Sequence, residues 1–120
     1  MTELEIKGST VFVNHNPIEV GSKVLDARVI DQAVLVLVDP DSYLSDPDYR
    51  RKRRSGLRAI RNLRAFSFDG TELWQAEMPA EADYYHTIVS LDPLDVYSFS
   101  SFRCRIDAQT GKILSKEFLK

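Results

Sequence analysis

The sequence predicts an all-β protein built of antiparallel meanders. Three observations carry this expectation. Asp69-Gly70 sits between two short runs, residues 63–68 and 72–76, and Asp-Gly is among the strongest local hairpin signals. Gly70 takes a positive φ at no steric cost, and Asp69 tolerates one better than most residues. A second ribbon of the same kind, residues 102–114, has a longer turn with Gly111 as its positive-φ residue. Finally, Ala33-Val34-Leu35-Val36-Leu37-Val38 is almost wholly apolar and β-branched, which suits a strand covered on both faces.

The other elements follow in order. Leu4-Glu5-Ile6-Lys7 alternates and is cut by Gly8; Val11-Phe12-Val13 follows, then Asn14-His15-Asn16-Pro17 as a turn, then Ile18-Glu19-Val20. Residues 1–22 are therefore expected to form strands that pack against a first four-stranded unit. That unit, residues 23–78, takes residues 24–30, 33–38, 63–68 and 72–76 as its strands, with Asp31-Gln32 as a tight connection. Asp39-Pro40-Asp41 ends its central strand and opens an insertion at about 40–60 without strand pattern. Asp46-Pro47 can cap and start a short helix over residues 48–54, and a loop is the competing reading, since a run of like charges resists packing. After an acidic linker, a second unit, residues 83–120, takes residues 84–91, a turn at Asp92-Pro93, residues 95–99 with Val96 or Tyr97 and Phe99 as apolar contributors, and the last ribbon.

The two ribbons resemble the outer hairpin of the repeat blade in quinoprotein-type β-propellers, the pyrroloquinoline-quinone-like repeat. Ala65-Phe66 and the stretch from Asp69-Gly70 through Leu73-Trp74 match one form; Ile106-Asp107, Thr110-Gly111-Lys112 and Ile113-Leu114 match the other. Ser115 stands where the family often has the Trp that docks on a neighbouring blade. The resemblance implies about two blade-like units. Closed propellers use about four to eight blades, so two cannot close a ring. The expected fold is a single domain in which the two units pack as a compact two-sheet body, monomeric or homodimeric. The quinone cofactor of the family is not carried over, because its site is assembled from many blades; no cofactor is expected.

The 120 residues contain no apolar run long enough for a membrane span, and the N-terminus lacks a signal-peptide pattern. One cysteine, Cys104, fits a reducing cytoplasm. The net charge of −2 hides an asymmetry: residues 50–64 hold eight basic residues and no acid. Eight basic against eighteen acidic residues remain elsewhere, a balance of −10.

Chemistry-bearing residues are sparse. His15, His86 and Cys104 lack metal-site spacing, so no metal is expected. Cys104 lies mid-strand and reads as a buried, inert thiol. The function expected from these observations is non-catalytic protein binding. The acidic body would steer a basic partner, neutralising or scaffolding it in the manner of a bacterial immunity protein. The alternative is nucleic-acid binding through Arg50, Arg51, Lys52, Arg53, Arg54 and Arg58, extended by Arg61 and Arg64. Five cations in a row could neutralise phosphates, but only Tyr49 is there to stack a base, and the acidic body opposes it. A third reading is a small hydrolase-like enzyme, which requires Asp39, Asp41 and His86 to converge on a concave site.

Overall fold

The computed structural model describes residues 2–41, 48, 60–80 and 83–119. Eleven strands form there: β1 (Leu4–Lys7), β2 (Thr10–Val13), β3 (Asn16–Glu19), β4 (Val24–Ile30), β5 (Ala33–Val38), β6 (Leu63–Ser67), β7 (Glu72–Gln75), β8 (Tyr85–Leu91), β9 (Leu94–Ser98), β10 (Phe102–Ile106) and β11 (Ile113–Phe118). They make three open antiparallel sheets, each a meander in chain order: β1-β2-β3, β4-β5-β6-β7 and β8-β9-β10-β11. The two four-stranded units are present, and the N-terminal strands add a third sheet of their own. Among the described residues no helix is long and apolar enough to cross a membrane.

β5 explains the layering. Side chains alternate across a strand. Val34, Val36 and Val38 join Val11, Val13 and Ile18 in a core shared with the N-terminal sheet. Leu35 and Leu37 join Tyr85, Ile88, Val96 and Cys104 in a core shared with the C-terminal sheet. A strand with no solvent face needs apolar residues at every position, and β5 has them. The central sheet is thus the middle of three layers.

Register corrects several residue assignments. Phe66 and Trp74 are both buried, at 3% and 8% exposure, but on opposite faces. Trp74 pairs across Ala65, and a bulge separates that pair from Phe66↔Glu72. Phe66 therefore enters the core toward the N-terminal sheet and Trp74 the core toward the C-terminal one. In β9 the core contributors are Leu94 and Val96, whereas Tyr97 is half-buried and Phe99, in the turn beyond, is 64% exposed. Val96 pairs with Cys104, and Tyr97 with Arg103 on the opposite, outer face.

The turns follow local chemistry. Asn14 and His15 alone make the β2–β3 turn, with φ of 49° and 72°, so Asn16 and Pro17 already belong to β3. Two consecutive positive φ values are what a two-residue hairpin loop requires. Pro17 is tolerated because β3 is an edge strand. After β5, Asp39 Oδ1 accepts the amide of Asp41 at 2.9 Å. This is N-cap geometry with Pro40 at the first helical position. Asp41 and Asp48 have helical backbone. Asp46-Pro47 and, apart from Asp48, the helix expected over 48–54 lie outside the described residues.

Candidate functional site

The joint between the central and C-terminal sheets positions both candidate surfaces. At one end Asn62, fully buried, donates from Nδ2 to the carbonyls of Val38 (3.0 Å) and Tyr85 (2.7 Å) and accepts the Tyr85 amide at 2.9 Å. It thereby ties β8 to the strand ends flanking the insertion. At the other end the Trp74 ring lies over Gly111, and its Nε1 donates to the Ala108 carbonyl at 3.0 Å. A Cβ on Gly111 would stand 2.6 Å from Trp74 Cε3, and φ there is +75°. Glycine is required at this position for both reasons.

At the Asn62 end, aromatic side chains gather at the surface. Tyr84 and Phe99 stack with centroids 5.0 Å apart and planes 16° apart. Phe102 meets Phe118 at 5.4 Å, and the Leu119 amide donates to Ser101 beside them. Phe99, Phe118 and Leu119 are among the most exposed large apolar side chains described. Under this cluster lies Asp83, almost fully buried. Its Oδ1 accepts the amides of Tyr84 and Ser100, while its Oδ2 has no partner.

At the turn end, a cavity of about 440 Å³ opens between the β4–β5 and β8–β9 turns. A shallower depression beside Trp74 shares Ile30, Asp31 and Ala108 with it, so the two form one groove.

The outer face of the C-terminal sheet carries a cluster that sequence reasoning missed. Asp95 is 2% exposed. Its carboxylate accepts two N–H groups from each of Arg103 and Arg105, at 2.9–3.2 Å. Hydrogen bonds from Arg105 and then Arg103 hold the Asp95 carboxyl below the usual carboxylate range against the opposing cost of burial. The signal available was the Arg-x-Arg spacing on one strand face with an Asp on its neighbour.

Several of the residues singled out from the sequence have local structural partners. Asp39 serves as a cap. His86 is exposed, with Nδ1 2.7 Å from Thr87 Oγ1 and its ring beside Tyr97 on the outer face. No group of three or more His, Cys, Asp or Glu residues with metal-site geometry occurs among the described residues. His15 is exposed in its turn, 3.5 Å from Glu3. Cys104 is fully buried, and burial raises its thiol pKa, as it raises that of the neighbouring Tyr85 hydroxyl. Arg50, Arg51, Lys52, Arg53, Arg54 and Arg58 lie outside the described residues. Arg64 does not extend their stripe: it pairs with Glu72, donates to the Val20 carbonyl at 3.0 Å and stacks 5.1 Å from the Phe66 ring centroid.

A family model described as a domain of unknown function, DUF7957, matches residues 1–118. The chain belongs to the DUF7957 family. No curated protein matches it. In this DUF7957 member the described surface offers recognition groups, namely aromatic faces, an apolar groove and fixed charges.

Proposed function

We propose that this chain is a non-catalytic protein-binding domain of the cytoplasm, composed of two propeller-type repeats and an N-terminal sheet. The observation that carries the binding reading is the aromatic cluster at the insertion end. Phe99, 64% exposed, stacks on Tyr84, and Phe118, 54% exposed, meets Phe102. Aromatic side chains exposed to water mark a candidate interaction site, since they are the usual energetic anchors of such sites. The acidic body, at −10 outside residues 50–64, favours a basic partner by steering. Trp74 seated on Gly111 supports the repeat reading, because docking of that Trp on the neighbouring unit is what the resemblance implies. An acidic domain of this size suits a neutraliser or scaffold of a basic protein.

The test is quantitative affinity capture with the wild type and with Phe99→Ser/Phe118→Ser, whose altered side chains are too exposed to disturb the core. The reading expects a partner held by the wild type and lost by the variant. Equal capture by both, or capture abolished by nuclease treatment, contradicts it; the second outcome would return the function to nucleic acid.

A further inference from the structure

We propose that the groove at the turn end of the second joint binds a basic segment with interspersed apolar side chains. This goes beyond the aromatic cluster, which lies at the opposite end of the C-terminal sheet. The groove has an apolar floor and an acidic rim. Ile30, Leu94, Ile106 and Ala108 line the floor. Leu114 on one flank and Leu73 on the other stand 63% and 51% exposed. Three carboxylates, Asp31, Asp92 and Asp107, edge the cavity. The one cation among the described residues lining it, Arg105, is already paired with Asp95. Asp107 uses one oxygen on the Gln109 amide. Among the described residues the exposed Asp31 and Asp92 side chains make no hydrogen bond or ion pair, so their charge faces the groove uncompensated.

Charge complementarity selects the occupant. An acidic or neutral segment would leave three carboxylates facing it without partners, and like charges across an interface disfavour association. A purely basic segment would leave the leucines and the floor in water. A chain that alternates cations with apolar side chains satisfies both, with its apolar groups between Leu73 and Leu114 and its cations on the rim.

Trp74, the only tryptophan, lines the groove and reports occupancy. The probes are three synthetic twelve-residue peptides: alternating Lys-Leu, alternating Lys-Ser and alternating Glu-Leu. The Lys-Leu peptide is expected to shift Trp74 fluorescence saturably, and added salt to weaken it. Asp31→Asn/Asp92→Asn is expected to weaken it about tenfold, the scale of two exposed ion pairs, and Leu114→Ser to weaken it as well. Phe99→Ser should bind like the wild type, which separates this site from the aromatic cluster. The proposal is overturned by no response to Lys-Leu at low salt, by equal affinity for Lys-Ser or Glu-Leu, by indifference to Asp31→Asn/Asp92→Asn, or by loss of binding in Phe99→Ser.

Discussion

Val11, Val13 and Ile18 of the N-terminal sheet meet Val34, Val36 and Val38 of the central one, an interface chiefly of branched aliphatics with Phe66 beside them. On the other face of β5, the central and C-terminal sheets meet through larger side chains and through directional bonds. Asn62 makes three hydrogen bonds there. Tyr85 Oη donates to the Glu77 carbonyl at 2.6 Å, the Glu77 amide to Gly111 at 2.9 Å, and Trp74 Nε1 to Ala108. The difference matters for specificity. Aliphatic contact rewards volume and accepts many substitutions that keep it. A joint of buried hydrogen bonds allows one registration, because any slip leaves polar groups unpaired. The second joint thus fixes the relative placement of the two four-stranded units, on which the groove depends.

Substitutions can break this contrast in order of expected size. Trp74→Ala removes an indole and its bond and should cost about 4 kcal/mol in urea unfolding. Asn62→Ala leaves the buried groups of Val38 and Tyr85 without partners and should cost about 3 kcal/mol. Val36→Ala, in the aliphatic joint, should cost about 2 kcal/mol, with the C-terminal core unchanged in NMR methyl shifts.

Asp95→Asn, outside both joints, should cost about 1 kcal/mol at neutral pH, since its arginine partners are half-exposed. Because its folded pKa is depressed, its stabilisation is full above the ordinary carboxylate range, near about pH 4, and is lost as pH falls through the folded value. The wild type and Asp95→Asn should therefore converge in stability on acidification. A gap independent of pH would show that the carboxylate charge contributes nothing.

The strands were legible because their signals are local: the six apolar residues of β5, the Asp69-Gly70 turn, and Gly111 after Asp107. What was not legible needs the layers in place. Asn62 sits in a basic stretch, and its role arises only because β6 begins beside Tyr85 of another sheet. Phe66 and Trp74 lie close in sequence, and only the bulge after Ala65 puts them on opposite faces. Asp95 read as a plain strand residue, yet its burial depends on two arginines from the next strand. The groove is assembled from three of the four hairpin turns at that end and the start of β7, and no single segment announces it. Asp39 and His86 take local partners, the Asp41 amide and the Thr87 hydroxyl, that sequence spacing alone does not announce.

Gly70 and Gly111 supply the most direct test of the second joint. Both have positive φ, at +95° and +75°, but a Cβ at Gly70 meets open space, whereas one at Gly111 meets Trp74. Gly70→Ala and Gly111→Ala share the backbone cost of about 1–2 kcal/mol, so their difference in urea unfolding, followed by Trp74 fluorescence, isolates the docked ring. The account predicts that Gly111→Ala loses about 2 kcal/mol more than Gly70→Ala, with native Trp74 emission shifted to the red in Gly111→Ala alone. Equal losses with unchanged emission would contradict it.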